Sequence, residues 1–422
     1  MKNKGFYLEM IRLVRSIVCS EEYLCRSSQR QMDFSRKRKM SFTDYIYAII
    51  QNNKSSLQAG INAFIDTHKK GEIEYSKQAF SKGRQRIKPE AFWELSQKVI
   101  EKFYKEAELS NWNGYQLFGI DGSRLNLPCT EELREIYGMQ ITSGAPQVQA
   151  LVSCVYDLLN GFIVDTCFMP CSSNERVAAR EMIASFQLEN VNAPVFVMDR
   201  GYPSAELIDS VIKSGHKFIM RASTEFLRKM KLVEDDNVIE HRFAKLTYPL
   251  KIRVLKIELS EVETEYLITN IFDSALSPED FKQVYRKRWG IESKYNDLKN
   301  KLEIECFSGY SSIAILQDFY ATVFLANLVA VLEYDLCDEI KKAHDKPENL
   351  YEYKINTVIA ISELKRSVIE MLMTPSAKKR DVMLAKIAIR LRKSVVPVRN
   401  NRHAERKVAH KSMKFPQNMR RV

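Results

Sequence analysis

Val195-Phe196-Val197-Met198-Asp199-Arg200-Gly201-Tyr202 is the stretch on which the fold turns. Four apolar residues in succession, without alternation, suit a strand buried on both faces. The chain then breaks around Asp199 and Gly201, turns helical from Ser204 to Lys213 and returns to a strand at Lys217 to Arg221. Upstream, Tyr115 to Ile120, Val148 to Tyr156 and Phe162 to Phe168 carry strand signals, and Leu159-Asn160-Gly161 joins the last two as a hairpin connection. Ser173 through Leu188 reads as a helix. Three strands followed by alternating helix and strand predict an α/β fold in which helices pack on a mixed sheet.

Outward from this core the texture changes twice. Residues 1–107 are helical in pattern, with apolar residues at three and four spacing in Tyr45, Ile46, Ile49, Ile50 and in Phe92, Leu95, Val99, Ile100, Phe103. Two basic stretches interrupt them: Arg36-Lys37-Arg38-Lys39 before an expected N-cap at Ser41, and Lys82, Arg84 and Arg86 around Gly83. Helices with basic turns suit a DNA-reading module; a bundle with solvated charged loops is the plainer alternative. Residues 222–273 alternate like strands and read as an inserted β-rich subdomain. Ser277-Pro278 then starts a long helix toward Leu302, with serine as cap and proline in the first turn. The sheet domain is therefore expected over 108–221 and 274–335, a helical region over 336–377, and a basic tail over 378–422.

Of 422 residues, 65 are Lys or Arg and 53 Asp or Glu, for a net charge of +12. From Lys378 to Val422 there are 15 basic residues against Asp381 and Glu405, which leaves 50 basic and 51 acidic elsewhere. Such a tail is expected to stay extended and bind a polyanion. Eight scattered cysteines form no C-x-x-C pair, which argues against a zinc site or a disulfide scaffold and for a reduced, cytoplasmic protein. The longest apolar run, Phe319 to Leu332, is 14 residues and too short for a bilayer, so a buried helix and no membrane are expected.

Asp121 follows the apolar strand Leu117 to Ile120 as Asp199 follows Val195 to Met198. A carboxylate there is a hard anionic ligand at the edge of a rigid sheet, a place suited to Mg²⁺, although either aspartate alone also fits a turn or cap. On the helix after Pro278, Tyr285, Arg288, Glu292 and Lys299 fall within roughly 60° of arc at about 100° per residue. One tyrosine, two cations and one acid on one stripe could be a salt-bridged solvent face.

The pattern Y-x-x-R-x-x-x-E-x-x-x-x-x-x-K, filled by Tyr285, Arg288, Glu292 and Lys299, resembles the signature of bacterial DDE transposases of the insertion sequence four family. Asp121-Gly122-Ser123 and Asp199-Arg200-Gly201-Tyr202 resemble that family's first two acidic motifs, in order and 78 residues apart, and Glu292 follows 93 residues later. The resemblance implies an RNase H-like catalytic domain with Asp121, Asp199 and Glu292 as catalytic residues holding two Mg²⁺ ions, for which Mn²⁺ can substitute. It implies that Tyr285, Arg288 and Lys299 grip DNA phosphates. Trp289 is read first as a core residue and otherwise as a stacking partner for a flipped base. Arg36, Lys37, Arg38, Lys39, Lys82, Arg84 and Arg86 would bind DNA from the N-terminal helices. The implied function is cut-and-paste transposition: a DNA-bridged homodimer binds terminal inverted repeats, cleaves them and joins them to target DNA. A transposase-derived DNA-binding protein without catalysis, or another nuclease of the same fold, is the alternative.

Overall fold

The computed structural model describes residues 5–51, 54–71, 73–142, 145–228, 236–258, 264–344 and 350–398. Six helices lead: α1 (Phe6–Val18), α2 (Glu21–Ser27), α3 (Phe42–Gln51), α4 (Leu57–His68), α5 (Lys77–Arg84) and α6 (Glu90–Glu106). There follow β1 (Gln116–Asn126), α7 (Glu131–Tyr137), β2 (Met139–Thr142), β3 (Ala145–Asp157), β4 (Ile163–Pro170), α8 (Glu175–Ala184), β5 (Pro194–Met198), α9 (Ala205–Lys213) and β6 (Lys217–Ala222). Next come β7 (Asp236–His241), β8 (Leu250–Glu258), β9 (Thr264–Thr269), α10 (Pro278–Lys287) and α11 (Trp289–Asn296), which runs into a π-helical turn (Asp297–Lys301). The chain closes with α12 (Ser312–His344), β10 (Glu352–Ile355), α13 (Thr357–Met373), α14 (Ala377–Lys393) and β11 (Val395–Val398).

Two compact units emerge: Leu109–Leu125 with Ala150–Asn296, and Met1–Glu108 with Asn126–Gln149 and Asp297–Val422. In the first, β1 and β5 pair in parallel with Ile120 opposite Met198, and β5 pairs in parallel with β6. On the other side of β1, the Leu158 N–H donates to Leu117 O at 2.9 Å and the Leu127 N–H to Val148 O at 2.9 Å. Rising positions meet falling ones, so β3 runs antiparallel to β1, and β4 is antiparallel to β3. Two parallel neighbours on one side and antiparallel strands on the other make this a mixed, RNase H-like sheet. β5 is buried at all five positions, as its unbroken apolar run requires.

The expected β-rich insertion extends the same sheet. β9 pairs antiparallel with β6, β8 with β9, and β7 with β8. Its strands place Leu255, Ile257 and Leu267 in one core with Leu117, Val195, Val197, Phe281 and Val284. Residues 229–235 and 259–263 of this segment lie outside the described residues.

The other unit is built on α12, buried almost continuously from Ala314 to Leu332 and packed against α6, α3, α1 and α13. This helix has 33 residues, far more than its apolar run, and by length and composition it could cross a membrane. Its most apolar window is 89% buried within the protein, as for a core helix. It also closes α1, whose N-cap Gly5 has no side chain to offer: Asp335 accepts from the Phe6 and Tyr7 N–H groups at 3.1 and 2.8 Å. Ser41 caps α3 as expected, accepting from the Asp44 N–H at 3.2 Å while Asp44 accepts from the Ser41 N–H at 2.8 Å.

Two expectations need correction. The basic stretch from Lys378 is not an extended tail from its start, since residues 377–393 form α14, with Arg380, Ile387, Ala388 and Leu391 buried. Arg390 reaches Glu363 at 2.8 Å, and Arg392 pairs with Glu339. Apolar residues at helical spacing among the charges supply the packing face that a count of charge overlooks. Residues 399–422 lie outside the described residues. The second correction is that no single helix runs from Pro278 to Leu302. Ser277 and Asp280 form the capping box of α10. The chain then tightens, with Arg288 N–H donating to Tyr285 O at 3.1 Å and Ile291 N–H to Arg288 O at 3.0 Å. These i to i+3 bonds, beside Gly290, divide α10 from α11.

Candidate active site

The parallel register sets the site. With Ile120 opposite Met198 as the last pair, Asp199 follows the end of β5, whereas Asp121 lies inside β1, which runs on to Asn126 beyond the strand end expected at Ile120; adjacent strands lie about 4.8 Å apart. Asp121 Oδ1 accepts from the Gly122 N–H at 2.9 Å, and Asp199 Oδ1 from the Gly201 N–H at 2.7 Å. Burial, and then the charges of Asp199 and Glu292, push the Asp121 carboxyl up to about 6, against the Gly122 hydrogen bond and the Arg288 charge.

Helix α11 brings the third acid. Gly119 is where helix meets sheet: a Cβ there would lie 3.0 Å from Leu158 Cδ2 and 3.6 Å from Ile291 Cβ. One turn on, the buried Tyr295 hydroxyl lies 2.9 Å from Asp121 O and 3.3 Å from Val152 O. Between these anchors Glu292 faces Arg288, Oε1 to Nη2 at 2.8 Å. Arg288 is 7% exposed, and its Nε is buried with no hydrogen-bond partner. The guanidinium also lies over the rings of Tyr285 and Trp289, at 5.6 and 5.4 Å. Burial pushes the Tyr285 hydroxyl up to about 12, with Arg288 opposing.

Tyr285, Arg288 and Glu292 thus stay together around the break in the helix. Lys299 falls in the π-helical turn, in the other unit, where 100° spacing no longer applies. Trp289 is 49% exposed, which corrects its reading as a core residue. Arg36, Lys37, Arg38 and Lys39 are exposed ahead of α3, with Lys39 Nζ 3.4 Å from Glu74 O, and Lys82 is exposed on α5. Arg86 is half-buried, 3.8 Å from Asp33. Arg84 is a further correction: it is 1% exposed and binds Asp318 and Gln317 at 2.8 and 2.7 Å, because α5 turns it to the same face as Phe80.

Among the described residues, no three His, Cys, Asp or Glu side chains converge closely enough to hold a metal ion as they stand. Glu292 is turned to Arg288. The donor set nevertheless suits a hard divalent cation, since it is all carboxylate oxygen and burial, together with the charges of Asp199 and Glu292, disfavours the bare charge on Asp121. Sequence reasoning missed Glu175. A glycine two residues before Asp121 was the available sign that a helix crosses there, but which helix arrives is not a local property.

A mixed sheet with one acid inside β1, a second just past the end of the adjacent β5, and a third on a helix packed over them is the arrangement that the resemblance to DDE transposases implies. Residues 120–328 match the family described as Transposase DDE domain. The chain is 24% identical over 185 residues to "Putative transposase InsZ" of Escherichia coli strain K12, a match covering 43% of this chain. It spans 60% of the length of that curated relative. Among solved structures, piggyBac transposase in a synaptic complex with hairpin DNA is similar, with a TM-score of 0.46 and 10% identity over 89% of this chain and 85% of that one. Both the matched family and the curated relative are described as transposases.

Proposed function

We propose that the chain is a DNA transposase of the insertion sequence four type, which binds the terminal inverted repeats of its element and moves it by metal-dependent cleavage and strand transfer. The observation that carries this reading is the register of β1 on β5, which puts Asp121 beside Asp199, with Glu292 on the helix anchored over them. Asp121, Asp199 and Glu292 would hold Mg²⁺ in two positions, with Mn²⁺ as a substitute. The bound ions would activate the attacking oxygen and stabilise the leaving one.

The chain's own residues do the rest. Glu292 must leave Arg288 to join the aspartates, and that exchange frees a guanidinium whose Nε already lacks a partner. Arg288 then has donors for a DNA phosphate oxygen, for which a planar fork is well shaped. Tyr285 donates beside it from a hydroxyl that stays protonated at neutral pH, and Lys299 adds charge. Trp289, exposed at the helix break, offers a face on which an unstacked base can rest. Arg36, Lys37, Arg38, Lys39, Lys82 and Arg86 supply phosphate contacts away from the chemistry, while Arg84 serves the fold. Joining two ends calls for a DNA-bridged homodimer.

The test is cleavage of DNA carrying the ends of the flanking element, with Mg²⁺ present or withheld, for the natural chain beside Asp199→Asn. Metal-dependent cutting at the ends that vanishes in the variant supports the proposal. Binding without cutting by both proteins refutes it and favours a silent DNA-binding relative.

A further inference from the structure

Two side chains beyond the three acids, Glu175 and Tyr202, stand against the residues that follow the two aspartates. Helix α8 starts there, with Asn174 as cap accepting from the Arg176 N–H at 2.9 Å. Its first residue, Glu175, stands against Gly122, where a Cβ would lie 2.6 Å from Glu175 Cδ and 2.8 Å from its Oε1. Gly122 holds Asp121. The next residue, Arg176, donates from Nε to Gly201 O at 2.7 Å, and Gly201 in turn holds Asp199. One helix start is therefore keyed to Gly122 in β1 and to the loop after Asp199, and the missing side chain at Gly122 leaves room for the Glu175 carboxylate.

The second side chain is Tyr202, 2% exposed. Its hydroxyl makes no hydrogen bond of good geometry, although Ser153 and Glu175 stand near enough to act on it and the charges of Asp121 and Asp199 also bear on it. A buried hydroxyl among three carboxylates without a hydrogen bond calls for an explanation, because such groups are nearly always satisfied. A cation between like-charged carboxylates would draw them together and let one of them accept from that donor in good geometry.

We propose that Glu175 and Tyr202 are positioning residues of the metal centre, Glu175 as its fourth carboxylate and Tyr202 as the donor that orders the carboxylates once a divalent cation is bound. This rests on the reading of Asp121, Asp199 and Glu292 as the metal-binding acids. Tyr202 touches no reacting atom; it acts through the carboxylates, as outer-shell partners of metal ligands do.

Titration calorimetry of Mn²⁺ alone into the full chain tests the proposal, for the natural protein beside Tyr202→Phe, Glu175→Gln and Asp121→Asn, with metal-free thermal unfolding of each. Tyr202→Phe is expected to bind Mn²⁺ about 10-fold more weakly and Glu175→Gln about 10- to 100-fold more weakly. The metal-free Tm of Tyr202→Phe should equal or exceed that of the natural chain, because the lost hydroxyl made no hydrogen bond of good geometry. A tyrosine that served only the fold would lower Tm and leave affinity unchanged. Natural Mn²⁺ affinity in Tyr202→Phe or Glu175→Gln, or a lowered Tm in Tyr202→Phe, overturns the proposal. If Asp121→Asn alone loses Mn²⁺, the reading of the three acids survives this failure; if it too binds like the natural chain, that reading fails as well.

Discussion

Arg84 divides two accounts of the N-terminal helices, and substituting it decides between them. Its position in a basic turn suggests a DNA contact, whereas the structure seals it at 1% exposure with Asp318 at 2%. The guanidinium binds Gln317 Oε1 at 2.7 Å, Ser308 Oγ at 2.5 Å, Ala314 O at 3.3 Å and Asp318 Oδ1 at 2.8 Å. Gln317 Nε2 in turn donates to Arg84 O and Ile87 O at 2.9 and 2.8 Å, so the cluster also ties α12 to the end of α5. Arg84→Met keeps most of the volume and leaves a carboxylate buried without its cation. Removing one partner of such a pair costs about 3–5 kcal/mol, which should lower the guanidinium unfolding midpoint by about 1 M. Adding Asp318→Leu should recover a large part of the loss, because two apolar side chains leave no charge stranded. Burial acts to raise the Asp318 carboxyl, but Arg84 and Ser308 outweigh it and hold the carboxyl below its usual value. This contribution is therefore complete above the ordinary carboxylate range and is lost as pH falls through the folded-state value. DNA affinity, measured by fluorescence anisotropy where the variant remains folded, should not change. Unaltered stability with a clear loss of DNA affinity would refute the structural account.

Replacing Glu292 by Gln should abolish cleavage, lowering its rate at least about 100-fold, while end binding in a gel-shift assay persists. Trp289→Ala should shift the unfolding free energy by less than about 0.5 kcal/mol, as for an exposed residue. It should weaken the complex with unpaired ends by about 1–3 kcal/mol if the ring carries a base; full affinity in anisotropy titrations would return Trp289 to the solvent face. Gly119→Ala should destabilise by about 1 kcal/mol, because its Cβ would lie 3.0 Å from Leu158 Cδ2 where α11 meets β1; an unchanged Tm would mean that Leu158 yields there. Burial raises Asp335 to about 6, opposed by its bonds to the Tyr7 and Phe6 N–H groups. The folded chain therefore holds more protons than the unfolded one between about pH 4 and 6, and this contribution falls as pH rises through that window. Asp335→Asn should accordingly gain stability relative to the natural chain at pH 7 and lose that advantage near pH 4 in parallel melts.

Much of the sheet was legible because its signals are local. Val195 to Met198 reads as a buried strand from four adjacent side chains, and Leu159-Asn160-Gly161 as a turn from its residue types, with Gly161 at φ +83°. The basic stretch after Lys378 was misread for the converse reason. Its charge is plain in any window, but that Ile387 and Leu391 find a surface to bury against is visible only once the helices are packed. The extension of the sheet by β7, β8 and β9 was hidden likewise, since alternating strands look the same whether they form a separate sheet or add to an existing edge.

By itself the sequence determined the residue types of the candidate site: a carboxylate after each of two apolar runs, and Tyr285, Arg288 and Glu292 at a spacing that survives the break in the helix. Backbone hydrogen bonding and side-chain period act over a few residues, so these features needed no knowledge of the fold. Only the tertiary structure decided that Ile120 stands opposite Met198, that Arg288 holds Glu292 with one nitrogen left over, that Arg84 turns inward to Asp318, and that Glu175 and Tyr202 meet the same centre. Those outcomes depend on which distant surfaces close on each other. Register across a sheet and burial beneath a helix are set by the packing of the whole core, which no window of the sequence contains.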